Sequence, residues 1–345
     1  MKHLNKKINL GIVGCGRISY KHLNAINSPL LKNKIKLKAI CDLDLNKTKK
    51  ISKKYKVNSY TNMIDMVKKE NLDMVSVLTE SGYHHSHFIK LSKYAKYFVI
   101  EKPLSLKVQN SFHAFKIARK NKNKIFVVKQ NRFNPAIIKL KEAVNQKRFG
   151  KIFLGTARVR WSRDQKYYNL APWRGKHDLD GGVIGNQASH HVDMLNWLIG
   201  SVKYVSAYGI KALAKIDSFD TVIVNLKFKS GALGIIEATT ATRPKDLEGS
   251  ISILGSKGTA QIGGFSMNVI STWQFSKKIH DDKKISEFST KPKSVYGYGH
   301  IGFYQSVVES LKSKNVIHPS NAIHTVKVIE AINKSVLLKG KKIYL

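Results

Sequence analysis

A glycine-rich turn placed directly after a short apolar run, Gly11-Ile12-Val13-Gly14-Cys15-Gly16-Arg17-Ile18-Ser19, constrains the start of this chain more than any other feature. Ile8 to Val13 has the length and apolarity of a buried strand. A strand that stops at glycines and runs into an amphipathic segment reads as the first step of a β-α-β unit. The rhythm repeats, with strands at Leu37 to Cys41, Met74 to Leu78, Tyr97 to Ile100 and Ile125 to Val128. Helices fall between them, near Ile18 to Ile26, Lys47 to Tyr55, Tyr83 to Tyr94 and Lys107 to Asn121. Short apolar strands alternating with helices predict an α/β domain whose doubly wound parallel sheet is covered on both faces.

Asn134-Pro135 then opens a helix to about Asn145, with proline where a missing N–H does little harm. Beyond Gly150 the pattern changes to strands joined by glycine turns, at Ile152 to Arg160, Lys203 to Ile210, Thr221 to Phe228, Leu233 to Ala238, Ser250 to Leu254 and Thr259 to Ile262. A helix from Asn186 to Leu198 interrupts them, and helices near Phe303 to Leu311 and Asn321 to Leu338 close the chain. The division expected is an α/β domain over residues 1–129 and an α+β domain with a largely antiparallel open sheet over 130–345.

With 345 residues and 42% hydrophobic content the chain can bury two such cores. Its formal net charge of +39 raises nucleic acid, anionic membranes and acidic small molecules as partners. The charge is mostly lysine, spread over helix surfaces and turns without an arginine-rich arm, so it reads as solvated faces and no specific nucleic-acid partner is expected. Cys15 and Cys41 are the only cysteines, which fits a reduced cytoplasmic setting. Met1 to Lys7 is basic but lacks a signal-peptide core, and no apolar run is long enough to insert in a membrane.

The glycine turn can hold a pyrophosphate on main-chain N–H groups at a helix start, involving Gly14, Gly16, Arg17 and Ile18. Ser19 replaces the third glycine, whose task is close packing of helix on strand, and is small enough for it. Asp42 ends the second strand, where a carboxylate accepts hydrogen bonds from a ribose and repels a 2′-phosphate, favouring NAD over NADP. The competing role for Asp42 is a turn or helix cap, with Asp44 and Asn46 as rivals for it.

A second informative stretch is Gly181-Gly182 followed by Asn186-Gln187-Ala188-Ser189-His190-His191-Val192-Asp193. Its glycines allow a close backbone approach to a ligand, and His190, one helical turn after Asn186, can exchange protons near neutral pH. His191 points elsewhere and reads as packing, and Asp193 reads as bonding a loop. Lys102, in Glu101-Lys102-Pro103, is delivered at the carboxyl edge of the parallel sheet. His84, His85 and His87 lack further convergent ligands, so no metal is expected.

The glycine turn, Thr79 and His84 after the next strand but one, Glu101-Lys102-Pro103 and the Asn186 to His190 segment together resemble the glucose-fructose oxidoreductase and inositol dehydrogenase family, Gfo/Idh/MocA. Val127 to Pro135, Pro172-Trp173-Arg174-Gly175, Asn186-Gln187 and Tyr296 to His300 are similar to its nucleotide-sugar branch, the UDP-N-acetyl-2-amino-2-deoxyglucuronate 3-dehydrogenases. The resemblance implies a dinucleotide-binding Rossmann domain over residues 1–129, a substrate-binding and oligomerisation domain over 130–345, tightly held NAD, and a homo-oligomer, dimer or tetramer. It also implies cofactor contacts from Thr79, His84, Glu101, Lys102 and Asn131 beside the glycine turn and Asp42. The family pattern has an aspartate where this chain has Asn186, which cannot raise the imidazole pKa by charge.

Oxidising a carbinol requires a base for the hydroxyl proton. Lys102 and His190 are both expected at that hydroxyl, with Lys102 the preferred base. Arg158 and Arg160 share a face of one strand, and with Arg163 and Arg174 they suit a carboxylate or pyrophosphate; the rival reading is a solvent-facing strand. Tyr168, Asn186, His190, Tyr298 and His300 complete the expected substrate contacts. The activity expected is NAD-dependent oxidation of the C3 hydroxyl of a UDP-N-acetylhexosamine or its uronic acid, in surface polysaccharide or lipopolysaccharide precursor biosynthesis. The alternatives are an inositol or free-sugar dehydrogenase, and a non-catalytic ligand-sensing or nucleic-acid-binding protein on the same fold.

Overall fold

A computed structural model describes residues 6–292, 294–312 and 320–345, so the first five residues of the basic amino terminus lie outside it. The chain forms two compact units that interleave in sequence, residues 1–128 with 300–323, and 129–299 with 324–345.

The first unit is built from β1 (Ile8–Val13), α1 (Ser19–Ile26), β2 (Ile35–Cys41), α2 (Leu45–Tyr55), β3 (Asn58–Tyr60), α3 (Met63–Lys69), β4 (Met74–Val77), α4 (His84–Leu91), β5 (Tyr97–Ile100), α5 (Val108–Lys120) and β6 (Lys124–Val127). Among the described residues its strands form one six-stranded parallel sheet in the order β3-β2-β1-β4-β5-β6. This is the Rossmann order, and it reverses between β1 and β4, which opens a crevice at the carboxyl ends of the strands. Leu10, Ile12, Val75, Val77, Phe98 and Ile100 are buried, as strands covered on both faces require. Asp44 accepts from the N–H groups of Asn46 and Lys47 and so caps α2, and Asn62 does the same for α3.

The second unit begins with a 3₁₀ turn, Gln130–Phe133, and α6 (Pro135–Asn145). Next come β7 (Ile152–Arg160), α7 (Gln165–Asn169), a π-helical turn over Val183–Gln187, and α8 (Ser189–Ile199). Its remaining strands are β8 (Val202–Ile210), β9 (Thr221–Phe228), β10 (Leu233–Thr239), β11 (Glu248–Gly255), β12 (Gly258–Gly263) and β13 (Val269–Phe275). Helix α9 (His300–Lys312) returns to the first unit, where it packs on α1, and α10 (Ser320–Leu337) and β14 (Ile343–Tyr344) end the chain.

The described strands of this unit form an eight-stranded sheet, β13-β12-β11-β7-β10-β9-β8-β14, antiparallel except where β10 runs parallel to β7. One face carries the core, with Ala157, Val159, Val224, Ile236 and Ile253 packed under residues of α6, α8 and α10. The other face is open, and Tyr208, Ile223, Leu233 and Ile235 are exposed on it. A β-side chain at Gly155 would stand 2.2 Å from Ile199 and 3.2 Å from Leu195, so the missing side chain lets α8 lie close on β7. No described helix is long and apolar enough to cross a membrane.

Candidate active site

In the first unit the residues read as cofactor-binding gather at the carboxyl edge of the parallel sheet. Gly14 has φ +98°, and a β-carbon there would be 2.7 Å from the Leu78 carbonyl, so both conformation and space require glycine. A β-carbon on Gly16 would meet nothing within 4 Å, which leaves its backbone open to an approaching ligand. The Ser19 hydroxyl is buried and donates to the Gly16 carbonyl at 2.7 Å, tying the turn to the start of α1. Arg17 is exposed and Ile18 half-buried beside it.

Asp42 accepts from the Cys15 N–H at 2.7 Å and from the Asp44 N–H at 2.9 Å. The capping role belongs to Asp44, and Asp42 instead links the end of β2 to the glycine turn. This arrangement fits a dinucleotide: main-chain N–H groups at a helix start, space where Gly16 lacks a side chain, and a carboxylate at the end of the second strand. The Cys15 and Cys41 thiols are buried nearby, and burial together with Asp42 pushes both up to about 12, so neither is a thiolate nucleophile at neutral pH.

Thr79, half-buried after β4, holds His87 through its hydroxyl at 2.9 Å. The His84 ring is buried between the carbonyls of Thr79, 2.9 Å away, and Pro103, 2.7 Å away. Burial lowers its pKa against the pull of those carbonyls, and the ring pins the loops after β4 and β5 to each other. His85 faces His113 at 3.0 Å, so the three histidines of this region diverge to separate partners.

Glu101 is buried, with Oε1 2.9 Å from His22 Nε2 and Oε2 accepting from the Lys102 N–H at 3.0 Å. Burial opposes its ionisation, but the bond to His22 and the nearby charges of His22, His300 and Lys102 together outweigh burial and hold the carboxyl down at about 2. His22 Nδ1 bonds the Tyr304 hydroxyl at 2.8 Å, and Tyr304 in turn meets Ser76 at 3.1 Å. This buried network fixes the main chain from which the half-buried Lys102 side chain leaves β5.

His300, expected among the substrate contacts, instead belongs to the first unit. It is buried with its ring 5.1 Å from that of His22, edge to face. The reason is α9, whose packing on α1 carries its first residue into this interior. Among the described residues His22, Glu101 and His300 form one group with metal-ligand chemistry, their ligand atoms within 4.8 Å of one another. Both His22 nitrogens are engaged by Tyr304 and Glu101, so the group is built as a hydrogen-bonded charge network.

In the second unit the stretch from Gly181 differs from a single helix. Asn186 lies in the π-helical turn, Ala188 separates it from α8, and His190 sits in the first turn of α8. Gly182, at φ +66°, packs against its own chain, since a β-carbon there would be 2.8 Å from Ser218 Cβ and 3.1 Å from the Phe219 carbonyl. Its close approach is therefore to β9's leading loop and not to a ligand. Asn186 Nδ2 donates to Asp180, whose other oxygen accepts from the Gly175 N–H at 2.7 Å. Asp180 is buried, and its one signal in the sequence is its place directly before two glycines.

His190, 8% exposed, has Nε2 at 2.9 Å from Gln130 Nε2. Gln130 and Asn131 are buried in the 3₁₀ turn after β6, and Asn131 Oδ1 has no hydrogen-bond partner among the described residues. His191 is fully buried with its ring 6.1 Å from Trp161, and burial pushes its pKa down to about 3, in keeping with a packing role. Asp193 bonds Lys129, Arg132 (2.7 and 2.8 Å) and Thr325 (2.9 Å). Burial opposes its ionisation, but the two cations prevail and hold it below the usual carboxylate range.

The expected arginine patch separates. Arg160 grips Glu237 with two hydrogen bonds of 2.6 and 2.7 Å, and Arg158 stands 3.7 Å from both Glu237 and Glu248. Both arginines alternate with the buried Ala157 and Val159, so they lie on the open face of the sheet, opposite α8 and His190. Two guanidinium groups against two carboxylates leave a charge-balanced ladder, which corrects the expectation that these arginines form one anion-binding patch with Arg174. Arg163 pairs with Asp246 at 2.8 Å. Arg174 stacks on Tyr167 and Trp173, 4.4 and 4.6 Å from the ring centres, and has no carboxylate partner among the described residues. Its Nε is buried without a hydrogen-bond partner among the described residues. Tyr168 is buried with its hydroxyl hydrogen-bonded to that of Thr240 at 2.8 Å, so it supports the fold here, whereas Tyr298 is exposed and bonds the Lys291 carbonyl.

The sequence matches the family model described as an oxidoreductase family with an NAD-binding Rossmann fold over residues 8–129, and the GFO/IDH/MocA C-terminal domain over residues 137–261. The structure is similar to the WlbA dehydrogenase from Bordetella pertussis, solved with NADH and UDP-GlcNAcA, at TM-score 0.94 and 36% identity, covering 99% of this chain and 98% of that one. It is also similar to the WlbA dehydrogenase from Chromobacterium violaceum, solved with the same two ligands, at 0.92 and 35%, covering 98% and 96%. A myo-inositol 2-dehydrogenase of Thermotoga maritima is 30% identical over 257 residues, 73% of this chain and 74% of that protein. With both halves of the chain matched, the protein belongs to the Gfo/Idh/MocA family and is an NAD-dependent oxidoreductase.

Proposed function

We propose that the protein oxidises the C3 hydroxyl of a UDP-N-acetylhexosamine or its uronic acid to the 3-keto sugar. The observation that carries this reading is the similarity, over nearly the whole of both chains, to a dehydrogenase solved with NADH and UDP-GlcNAcA. The inositol dehydrogenase relative matches a smaller share of the chain at lower identity. A 3-keto sugar is the substrate that an aminotransferase would consume, as in surface polysaccharide precursor synthesis.

Gly14, Gly16, Arg17 and Ile18 would hold the pyrophosphate and Asp42 the ribose of NAD, with Thr79, His84, Glu101 and Asn131 shaping the remaining contacts. Bound NAD supplies the acceptor for the hydride that leaves the carbinol carbon. Lys102, as the neutral amine, takes the hydroxyl proton while the C–O bond becomes a carbonyl. His190 and Asn186 orient the sugar, and Arg174 meets an anionic group of it, because its buried Nε–H lacks a partner among the described residues. Arg158 and Arg160 are left out of this set because they face the other side of the sheet. The exposed apolar residues beside them, Tyr208, Ile223 and Ile235, suit packing against a second copy of the chain, which light scattering on the purified protein would test.

The substrate test is a panel of UDP-N-acetylhexosamines, their uronic acids, myo-inositol and free hexoses, each incubated with NAD and read by reduced-cofactor absorbance. Turnover of a UDP sugar supports the reading, and turnover of inositol alone overturns it. Lys102→Met is expected to lower kcat by roughly 100-fold or more while NAD still binds; a rate near that of the unaltered protein removes lysine from the role of base.

A further inference from the structure

We propose that His22 is a positioning residue of the reaction: through Glu101 it holds the main chain at Lys102, so that the lysine amine leaves β5 in the one direction from which it reaches the hydroxyl proton. The proposal deepens the dehydrogenase reading above and rests on Lys102 as the base.

The Glu101 N–H donates to the Val77 carbonyl of β4 at 3.0 Å, so residue 101 is still tied to the sheet through its main chain. The Lys102 N–H turns back instead to Glu101 Oε2, also at 3.0 Å. Where the lysine side chain departs is thus set by whether the Glu101 carboxylate stays in place. Its other oxygen, Oε1, meets His22 Nε2 at 2.9 Å, and His22 Nδ1 meets the Tyr304 hydroxyl at 2.8 Å, which in turn reaches Ser76 at 3.1 Å. An ionised carboxylate can only accept, so Nε2 carries a proton. That bond is the same in both protonation states of the ring. The neutral imidazole accepts from Tyr304 at Nδ1, and the imidazolium donates to the Tyr304 oxygen while the phenol hydrogen turns to Ser76.

Glu101 is 6% exposed, and His22 and Tyr304 are fully buried. The ionisable groups around the carboxylate are His22 on α1, His300 and Tyr304 on α9, His84 on α4 and Lys102 itself. Without the Nε2 donor, Oε1 is left buried and short of its hydrogen bond. The carboxylate relieves that cost by turning or by taking up a proton, and either change releases the Lys102 N–H. Stability alone does not account for the pair, because apolar side chains of similar volume often replace a buried ion pair without loss. Such packing would hold α1 and α9 to the sheet equally well. Apolar side chains cannot anchor a carboxylate whose second oxygen grips the main chain of the base.

The test compares the full-length parent with His22→Gln, His22→Asn and Tyr304→Phe in turnover of UDP-N-acetylglucosaminuronic acid with NAD, and by hydrogen exchange at the Lys102 amide. The glutamine amide nitrogen reaches the place of imidazole Nε2 and keeps the donor to Glu101, whereas the shorter asparagine loses it. His22→Asn is expected to lower kcat by about 100-fold, the effect of misplacing a reacting group by about an ångström, with KM for NAD and for the sugar near those of the parent. His22→Gln should recover most of that loss, and Tyr304→Phe, which keeps the ring, should show a smaller fall in kcat alone. In His22→Asn the Lys102 amide should exchange faster while those of Val99 and Ile100 stay protected. A folded His22→Asn protein with the parent's kcat or the parent's Lys102 exchange overturns the proposal, as does a His22→Gln protein no faster than His22→Asn. If His22→Asn does not fold, Tyr304→Phe with the parent's kcat and Lys102 exchange overturns it. Absence of turnover by the parent counts against the UDP-sugar reading alone, since the amide measurement needs no substrate.

Discussion

Asn186 donates its side-chain N–H to Asp180, and the same buried carboxylate accepts from the Gly175 N–H at 2.7 Å. The amide that replaces the family's aspartate is thus supplied with a negative charge from the preceding loop. Asp180→Asn would have to accept from both donors with one carbonyl oxygen, turning an N–H toward an N–H. Leaving one buried donor unpaired costs about 1–3 kcal/mol. The urea midpoint and kcat should both fall, with KM for NAD unchanged. A variant as stable and active as the parent would show that the carboxylate has no such role.

The two glycines of the first turn should respond differently to alanine. Gly14→Ala forces a β-carbon into the Leu78 main chain at φ +98°, so it should lower the unfolding midpoint and the yield of folded protein. Gly16→Ala adds a methyl group to open space, so folding should be unaffected while NAD affinity drops about 10-fold or more by loss of close main-chain approach. Fluorescence titration with NAD and urea melts read the two effects. Unaltered NAD binding by Gly16→Ala would remove that backbone from the cofactor site.

His191 gives the protein an acid sensitivity unrelated to catalysis. Its pKa in the folded chain is pushed down to about 3 by burial, whereas the unfolded chain takes up the proton near pH 6.5. Between those values the unfolded state binds more protons, so stability rises with pH and is lost as pH falls below about 6.5, by about 2 kcal/mol at pH 5. His191→Leu should show a smaller fall in urea midpoint from pH 8 to pH 5 than the parent. Equal falls in the two proteins would contradict a buried, neutral imidazole.

Arginine variants separate the two faces of the second sheet. Arg174→Gln is expected to raise KM for the nucleotide sugar about 10-fold with a smaller change in kcat, since a charge-assisted hydrogen bond to substrate is removed. Arg158→Gln, on the face opposite α8, should leave both constants near those of the parent. If Arg158→Gln alone raises KM, the anion site is on the open face and Arg174 is structural.

Much of this protein was legible in its residues because the signals were local. Glycines after Val13, short apolar strands and the alternation in Ile152–Arg160 each act within a few residues, and they determined the parallel sheet, the antiparallel sheet and the glycine turn after β1. Elements without such signals escaped: β3 is a short, polar edge strand, β13 carries no clear buried face, and the break at Ala188 has no proline or glycine to mark it.

What only the tertiary structure decided was who faces whom. Alternation placed Arg158 and Arg160 together, but which side of the sheet they share depends on where α8 packs, and Gly155 settles that through Leu195 and Ile199. His300 sits beside His22 because α9 returns to α1 across most of the chain length, and Gln130 reaches His190 because Asp193 draws in both of its flanks. Local periodicity carries no information about contacts between distant segments, and the partners of a buried polar group are chosen by the geometry that closes around it.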